Sequence, residues 1–564
     1  MKIKIIDRIR RSKQRISEDT SGEGAEQQVE HLIRSAMQAH LEITNPICQH
    51  RVIQNVLSRD EIIKLFRWYQ RNNQTEWGKR NIENLCNEVC LNNIKVLAML
   101  ILIGKGSALI HLIDEGVSDS SLPLVYTDMT KGDLRLASQQ DTLLECFSTW
   151  TTQMRLDICR MQWELDVPYM KMGPHYLAEH TEFSDDVILP WCKQEQNTSE
   201  AGQTTSKTDK STINEGFGGY SSVNRVYIHP EYHGFHDILK KIGLVASCAN
   251  RFALKTLNPE SDKELETAYM NEIEQLKNLN GTVAKHLVTL LTTFTHKKKR
   301  NFLFPWASSD LFSYWETEKT YPEDLSYIRW FSRQLKGLVD AVHAIHWPSA
   351  PRSVPGSTPR NFYGRHGDLK PDNILWYQKD DTSKDPHGIL VVSDMGFTVA
   401  HTTYSRSKDH ASRVARTPEY RPPELDTKNE PVTRKYDVWT LGCIFLEMLT
   451  WFLGGKEERD EFKNKRKTTE WTGANTYVFF ALEKGEGSGV YATVKRQVVE
   501  WMEKIRKHKY RSQFTDDVVN VIQSDMILVK DRTDIRDLKD KFTEINKRCQ
   551  DDPTYAKATA RCRA

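Results

Sequence analysis

The sequence predicts an α+β protein in which a mostly helical N-terminal region precedes two lobes, the first rich in strands and the second in helices. Between residues 213 and about 305, glycine-rich and β-branched segments alternate around a single helix, whereas residues 310 to 545 are mainly helical. Strands grouped before helices are typical of such an α+β arrangement. The 38% hydrophobic content and the 14 Trp, 20 Tyr and 20 Phe residues supply enough apolar surface for buried cores.

The first 192 residues are predicted to form the helical region. Apolar residues recur at helical spacing from an N-cap at Asp60 up to Tyr69, and a longer helical pattern runs from Ile82 to Leu100. An aromatic core is indicated by Trp68, Trp77, Trp150, Trp163 and Trp191. The region has no repeat and no chemical motif, so the sequence does not indicate its function.

The first sixteen residues carry seven basic side chains and one acidic side chain, with Ile5, Ile6, Ile9 and Ile16 at roughly helical intervals. This pattern is compatible with a helix that binds a membrane surface or an acidic partner, and with an organelle-targeting sequence. A solvated helix or a frayed terminus is the commoner outcome for such a segment.

Residues 193–212 contain no Val, Ile, Leu, Phe, Tyr or Trp and are predicted to form a polar linker. The chain is therefore expected to consist of a helical region (1–192), the linker (193–212), the two-lobed domain (213–545) and a C-terminal tail (546–564).

Overall charge and cysteine usage restrict the partners and the compartment. A net charge of +3 argues against nucleic-acid binding through the field of the whole molecule. Ten cysteines without C-x-x-C pairs favour reduced thiols in an intracellular protein, in either cytoplasm or nucleus. The longest apolar run, from Val96 to Gly104, is too short to span a bilayer, and no secretory signal is visible, so no transmembrane segment is expected. The oligomeric state is not indicated.

The string HGDLKPDN at residues 366–373 is the most informative feature of the chain. It places the carboxylate of Asp368, the ammonium of Lys370 and the carboxamide of Asn373 at fixed offsets on one short loop. Phosphoryl transfer from a nucleotide needs these three groups, because a base orients the hydroxyl, a cation neutralises the phosphate and an amide oxygen holds magnesium.

Further strings follow a fixed order along the chain. They are GFGGYSSV (216–223), FALK (252–255), NFLFPWA (301–307), DMG (394–396), TPEYRPPE (417–424) and DVWTLGCI (437–444). Each alone is explicable as ordinary structure: the glycines as a hairpin turn, the lysine as an exposed strand charge, and NFLFPWA as a core strand that ends in a turn. Chance assembly of the whole series is negligible.

Together these strings resemble the motifs of eukaryotic protein kinases of the serine/threonine type over roughly residues 206 to 545. Details such as FPWA at the hinge and LEMLTW at 446–451 resemble protein kinases of filamentous fungi. The resemblance implies a bilobal protein-kinase-like fold, ATP and Mg²⁺ as cofactors, and a protein substrate with a Ser or Thr acceptor.

The resemblance also assigns catalytic and metal-binding residues. Asp368 is expected to act as the base, Lys370 to contact the γ-phosphate and Thr417 to brace both of them. Asn373 and Asp394 are expected to bind magnesium. Two structural contacts are implied as well: a core ion pair of Glu424 with Arg532, and hydrogen bonds from Asp437 to the backbone of the catalytic loop.

A second set of residues is implied for the nucleotide. Lys255 is expected to contact the phosphates and to pair with Glu272, with Glu274 as a less favoured partner. In the hinge, Phe304 is the gatekeeper, while the carbonyl of Pro305 and the N–H of Ala307 meet the adenine edge. The remaining nucleotide-binding positions are Gly216, Gly218, Val223, Ala253 and Leu375.

The chain departs from the kinase pattern at Ser221, Gly367 and Met395. Gly367 replaces the arginine that binds a phosphorylated activation loop in many kinases, so we expect activity that does not depend strictly on loop phosphorylation. None of the three residues is a phosphate or metal ligand. An active kinase is therefore favoured over a pseudokinase-like nucleotide-binding scaffold, and the substrate segment at 417–424 argues against a small-molecule kinase.

Overall fold

A computed structural model describes most of the chain. The described residues are 24–38, 50–128, 133–192, 221–244, 250–257, 273, 276, 285–347, 364–379, 387–394, 418–427, 432–469, 475–484 and 490–558. The predicted linker at 193–212 lies outside them, as do the first sixteen residues.

The N-terminal unit has a hydrophobic core of its own, formed by residues between Val29 and Leu165. Its helices are α1 (Ala25–Gln38), α2 (His50–Val56), α3 (Arg59–Asn72), α4 (Gln74–Trp77), α5 (Ile82–Asn92), α6 (Ile94–Leu102), α7 (Leu109–Asp114) and α8 (Thr152–Leu165). An antiparallel sheet of β1 (Leu124–Asp128), β2 (Asp133–Leu136) and β3 (Gln139–Leu143) completes the unit. The helical character agrees with the prediction, whereas the small sheet was not predicted.

The helix predicted from Ile82 to Leu100 is two helices, α5 and α6, which meet at 98°. At the junction, Asn93 donates from Nδ2 to the carbonyl of Val117 at 2.7 Å. The carboxylate of Asp119 then accepts the backbone N–H groups of the first turn of α6 at 3.0 Å. Asp119 therefore caps the backbone N–H groups that have no partner within the helix at the start of α6. Apolar periodicity alone does not indicate this break between the two helices.

The start of α3 also differs slightly from the prediction. Its N-cap is Ser58, which has an extended backbone, and Asp60 lies in the first turn instead. An acidic side chain in the first turn still stabilises the helix through the helix dipole.

The second hydrophobic core, formed by residues between Met170 and Ala556, supports a small lobe and a large lobe. The small lobe is built on a six-stranded sheet in the order β4-β8-β9-β7-β6-β5. Its strands are β4 (His180–Glu182), β5 (Trp191–Cys192), β6 (Ser221–Ile228), β7 (Arg251–Leu257), β8 (Thr292–His296) and β9 (Lys299–Pro305). A short helix, α9 (His236–Lys241), follows β6.

Residues 167–192, which we call the edge segment, supply both outer strands of this sheet. Strand β4 pairs in parallel with β8, and β5 pairs antiparallel with the end of β6. Met170 exchanges backbone hydrogen bonds of 2.8 Å with Tyr232 and Gly234. The predicted boundary at residue 192 therefore differs from the structure, where the two cores divide near residue 166. Pairing between segments distant in sequence decides this boundary, and local composition does not report it.

The large lobe is helical, as predicted. Its helices are α10 (Leu311–Thr317), α11 (Leu325–His346), α12 (Lys435–Arg466), α13 (Arg496–Ile505), α14 (Gln513–Val521), α15 (Ile535–Asp551) and α16 (Pro553–Ala556). A three-stranded sheet lies at the junction of the lobes: β10 (Ser309–Asp310), β11 (Ile374–Tyr377) and β12 (Ile389–Val392). After α12 come two antiparallel pairs: β13 (Thr468–Thr469) with β14 (Asn475–Thr476), and β15 (Phe480–Lys484) with β16 (Val490–Val494).

Within the described ranges, α12 is long and apolar enough to cross a membrane by length and composition. Its most apolar window is 89% buried by the rest of the protein, so its apolar surface is already covered as the central helix of the lobe. The bent pair α5–α6 passes the same test only if it is counted as one span.

The predicted C-terminal tail is partly structured. Helix α15 continues to Asp551, and the Tyr555 and Ala556 side chains of α16 are buried in the second core. Gln550 donates from Nε2 to the carbonyl of Arg329 in α11 at 3.0 Å. The domain therefore extends through residue 556. The boundary predicted at residue 545 lies inside helix α15, whose last turns pack in the second core together with α16.

We expect Phe183→Ala in the full chain to loosen β8. The backbone N–H of Phe183 donates to Thr295 at 2.9 Å, and its ring centroid lies 5.6 Å from that of Phe294. Loss of the ring removes packing that holds the edge segment on the sheet. Hydrogen–deuterium exchange of the Thr292–His296 amides should become faster.

Leu91→Ala is the matched control, because Leu91 is 81% exposed in the N-terminal unit and its truncation should leave that exchange unchanged. Identical β8 exchange in Phe183→Ala and the wild type would show that the edge segment does not support the sheet.

Candidate active site

The loop that carries Asp368 is fixed by a buried carboxylate. Asp437, in the first turn of α12, is 0% exposed and accepts the backbone N–H groups of His366 at 2.7 Å and Gly367 at 2.9 Å. Nε2 of His346, the last residue of α11, lies 2.8 Å from the same carboxylate. The predicted contact between Asp437 and this loop is confirmed.

Gly367 has φ +76°, in the left-handed region that strains residues with a side chain. Its N–H is thereby turned toward Asp437, and the loop reverses direction just before Asp368. Glycine adopts this backbone conformation without steric cost.

Burial by itself raises the pKa of Asp437, but the hydrogen bond and positive charge of His346, the charge of His366 and the N–H of Gly367 outweigh it. The pKa of Asp437 therefore lies below its usual value, and the carboxylate stays ionised at neutral pH.

The polar side chains of the loop converge on Asp368. Nζ of Lys370 lies 2.9 Å from Oδ2 of Asp368. Asn373 donates from Nδ2 to the same oxygen at 3.0 Å and to the backbone carbonyl of Asp368 at 2.8 Å. Because both contacts use Nδ2, the amide oxygen of Asn373 remains the group suited to a cation. A single turn of 3₁₀ helix, Pro371–Asn373, sets this spacing.

A further charged group reaches the site from the small lobe. Nζ of Lys255 in β7 lies 3.5 Å from Oδ1 of Asp394, which follows β12. The charge of Lys255, against the opposing effect of burial, holds the pKa of Asp394 below its usual value, with further contributions from His366 and Lys370. Asp394 has φ +58°, an uncommon conformation for aspartate that is often found at functional sites.

Two predicted nucleotide contacts lie beside Lys255 on the small-lobe sheet, and a third lies in the sheet at the junction of the lobes. Val223 in β6 is the direct partner of Lys255, and Ala253 lies on the same face of β7 two residues earlier. The opposite face of β7 is buried through Phe252 and Leu254. Leu375, half-buried in β11, lies opposite Asp310 on the large-lobe side.

The predicted hinge runs from the end of β9 to β10. Phe304 lies directly opposite Ala253 and is half-buried. The carbonyl of Pro305 accepts a hydrogen bond from the hydroxyl of Tyr377 at 3.1 Å, a partner that the sequence did not indicate. Ala307 is half-buried, and its N–H donates no hydrogen bond within the described part of the chain.

The oxygen ligands of the site suit magnesium. Mg²⁺ binds in proteins through one or two carboxylates, with phosphate oxygens and waters completing the shell. Asp394 supplies a carboxylate and Asn373 an amide oxygen. In the described ranges no three His, Cys, Asp or Glu side chains are grouped to hold a metal by themselves. This donor set therefore fits a metal that arrives with a nucleotide.

Four predicted site residues, Gly216, Gly218, Glu272 and Thr417, lie outside the described residues, as does the Met395–Gly396 pair. Sequence reasoning missed His346 and Tyr377. The position of each depends on which distant backbone or carboxylate lies beside it, and neither belongs to a recognisable string.

Comparison with known proteins agrees with this geometry. Residues 241–484 match the sequence model of the protein kinase domain. Over these residues the chain is similar to protein kinase domains. The matched range covers Lys255, the predicted hinge, the loop of Asp368, Asp394 and Asp437.

Several curated protein kinases are similar to part of the chain. Cyclin-dependent kinase-like 2 of Rattus norvegicus is 27% identical over 213 residues, which cover 37% of this chain and 36% of the relative. Cyclin-dependent kinase-like 4 of Homo sapiens is 25% identical over 216 residues, covering 37% and 48%. Serine/threonine-protein kinase crk1 of Schizosaccharomyces pombe is 26% identical over 194 residues, covering 34% and 49%. The chain thus spans between about a third and a half of the length of these relatives.

In the large lobe, the segment from Pro418 to Thr427 is held by two buried ion pairs. The first is the predicted pair: both carboxylate oxygens of Glu424 accept from Arg532 at 2.8 Å. This two-point contact fixes orientation as well as distance.

The second pair was not predicted. The hydroxyl of Tyr420 donates to Glu447 of α12 at 2.5 Å, and the other oxygen of Glu447 accepts from Arg466 at 2.5 Å. Arg466 is 0% exposed, and its guanidinium lies against the rings of Phe462 and Phe479, at 4.2 and 4.1 Å from their centroids. Burial raises the pKa of Tyr420 well above its ordinary value, so its hydroxyl remains a donor.

We expect Asp437→Asn to destabilise the large lobe by about 2–3 kcal/mol at neutral pH, because hydrogen bonds to an ionised group are lost. The folded pKa of Asp437 is depressed, so its contribution is complete above the ordinary aspartate value of about 4 and is lost as pH falls through the folded pKa. Denaturant titrations from pH 3 to 8 should show a constant difference between the two proteins above about pH 5 and a shrinking one below about pH 4. A difference that grows toward acid pH would contradict this assignment.

We expect Arg466→Met to cost about 3–5 kcal/mol, because Glu447 would remain buried without a counter-charge. Adding Glu447→Gln should recover much of this loss, since the amide carries no charge. Denaturant titrations of the single and double variants give the coupling free energy.

Arg496→Met is the control, because Arg496 pairs with Glu500 at the surface with side-chain exposures of 89% and 57%. It should change the free energy of unfolding by less than about 0.5 kcal/mol. Additive effects of Arg466→Met and Glu447→Gln would exclude a buried pair.

Proposed function

We propose that this protein is a serine/threonine protein kinase that transfers the γ-phosphate of ATP to a protein hydroxyl, with Mg²⁺ as cofactor. The observation that carries the proposal is the convergence of Asp368, Lys370 and Asn373 on one anchored loop, beside a Lys255–Asp394 pair of 3.5 Å. The similarity to serine/threonine-protein kinase crk1 of Schizosaccharomyces pombe supports it.

In this proposal Asp368 orients the acceptor hydroxyl and takes its proton as the oxygen attacks the γ-phosphorus, the bond from that phosphorus to the bridging oxygen of the β-phosphate breaks, and ADP leaves. Lys370, 2.9 Å from Asp368, can contact both the base and the moving phosphoryl group. Its positive charge offsets the charge that develops on the phosphate oxygens, and it is already in place before the reaction.

Lys255 positions the phosphates, and Asn373 and Asp394 hold the metal. Mg²⁺ supplies neutralisation of the phosphate charge when it is bound. The depressed pKa of Asp394 keeps this ligand ionised, so the protein needs no proton release to form the site. Gly216, Gly218, Glu272 and Thr417 complete the proposed set from positions outside the described residues.

The adenine would lie between Val223 and Ala253 of the small lobe and Leu375 of the large lobe, with Phe304 at the back. The N–H of Ala307, which makes no hydrogen bond among the residues that the structure describes, would then donate to the edge of the base. The membership of a group of filamentous fungal kinases remains a prediction that rests on the sequence strings alone.

The alternative is a nucleotide-binding scaffold with weak or no phosphotransfer. Its support is limited to the departures Ser221, Gly367 and Met395. Of these three departures, Gly367 gives the scaffold hypothesis the least support, because this glycine has the backbone conformation that the anchored loop requires. Activity that does not depend on a phosphorylated activation loop remains our expectation, because Gly367 replaces the arginine that would bind the phosphate.

We expect Asp368→Asn to lower kcat by orders of magnitude while nucleotide affinity stays within a few-fold, because the amide cannot accept the proton. Transfer from radiolabelled ATP to a generic protein substrate measures kcat, and titration calorimetry measures nucleotide binding. Asp372→Asn is the matched control, since Asp372 is an exposed carboxylate in the same loop with no proposed contact to the reacting groups. Equal, near-zero rates for the wild type and Asp368→Asn, with nucleotide bound, would favour the scaffold.

A further inference from the structure

The hinge carbonyl of Pro305 already has a hydrogen-bond donor supplied by the protein. The hydroxyl of Tyr377 lies 3.1 Å from it, and the Tyr377 side chain is 1% exposed. Tyr377 is the last residue of β11, whose pairing with β10 and β12 fixes its position relative to the hinge. The contact is therefore part of the folded framework and does not depend on a mobile surface side chain.

The other polar groups of the hinge are also largely engaged. The N–H of Trp306 donates to Arg251 at 3.3 Å, and that of Ser308 donates to Trp376 at 2.9 Å. Pro305 has no N–H. Ala307 is the hinge residue whose N–H makes no hydrogen bond within the described ranges.

These contacts bear on how a purine base is read. The edge of adenine presents the 6-amino group as a donor and N1 as an acceptor. A hinge with a free carbonyl and a free N–H would bind both groups. Here the N–H of Ala307 makes no hydrogen bond within the described residues and can donate to N1. The carbonyl of Pro305 has two acceptor positions, and the hydroxyl of Tyr377 occupies one of them. A carbonyl that is satisfied inside the protein gains little from a second donor, and it loses nothing when that donor is missing.

We propose that Tyr377 sets the base selectivity of the nucleotide site: because its hydroxyl satisfies the Pro305 carbonyl, the site recognises purine nucleotides through N1 at Ala307 and is nearly indifferent to the 6-amino group. The inference rests on the proposed function and names the class of phosphoryl donor that the site accepts: purine nucleoside triphosphates with an unprotonated N1. Tyr377 acts through the hinge carbonyl, so it is a positioning residue.

The test compares ATP with purine riboside triphosphate, which differs from ATP only by lacking the 6-amino group. Dissociation constants with Mg²⁺ are measured by calorimetry on the full-length wild type and on Tyr377→Phe. The wild type should bind the two nucleotides within about twofold. Tyr377→Phe frees a buried carbonyl that only ATP can satisfy, so the variant should prefer ATP by about fivefold, the effect expected of one neutral hydrogen bond. GTP, whose N1 carries a proton, should bind weakly to both proteins.

Tyr327→Phe is the matched control. Tyr327 in α11 is 0% exposed, its ring stacks on those of Trp330 and Phe452, and within the described residues it makes no hydrogen bond to the hinge. This variant removes the same atom from another buried tyrosine and should keep the wild-type ratio of the two dissociation constants. Denaturation midpoints verify that both variants are folded.

A wild type that prefers ATP tenfold or more, with the same preference in Tyr377→Phe, would overturn the proposal. Failure of the proposed function gives a different result. If transfer is absent but the binding ratios shift as expected, Tyr377 still sets base selectivity in a scaffold. If neither nucleotide binds, both proposals are overturned.

Discussion

The carboxylate of Asp437 is the charge around which the large lobe is organised. It is fully buried, and taking an ionised carboxylate out of water costs several kcal/mol unless hydrogen bonds replace its hydration. Two backbone N–H groups of the catalytic loop and the His346 ring supply these bonds. The same contacts fix the backbone on which Asp368 is carried. Loss of the catalytic-loop conformation would leave the carboxylate buried and unsatisfied, so the loop and the lobe core stabilise each other.

The segment from Pro418 to Thr427 depends on charge in a comparable way. Glu424 and Glu447 are both buried, and each receives an arginine from a distant part of the lobe, Arg532 and Arg466. Apolar packing could stabilise this region as well as ion pairs do, but it would not specify orientation through fixed hydrogen-bond geometry. Arg466 comes from the end of α12 and is enclosed by Phe479 of the following hairpin region, so residues after α12 contribute to the shape of the segment that includes Tyr420.

The sheet of the small lobe depends on residues that precede the predicted linker at 193–212. The edge segment provides the outer strands β4 and β5, which cover sheet edges that would otherwise expose unpaired backbone groups. The N-terminal unit ends at α8, and an ion pair between Lys95 and Asp166 lies at this junction. The sheet that carries Lys255 is therefore joined to the N-terminal unit by a short connection and completed by the chain that leaves that unit.

The sequence alone determined the chemistry and the order of the parts. The offsets within HGDLKPDN fix which groups share a loop, and the pairs Asp437 with the loop backbone and Glu424 with Arg532 followed from the resemblance. Such features are local strings, and a string constrains its own geometry. Only the tertiary structure decided that residues 167–192 belong to the small-lobe sheet and that Asp119 caps a second helix after Asn93. It also decided that Arg466 neutralises Glu447. The hydrogen bond from Tyr377 to the hinge carbonyl is a further result of this kind. Each of these results depends on which distant segment satisfies a buried polar group or an open sheet edge, and no local pattern of residues reports that choice.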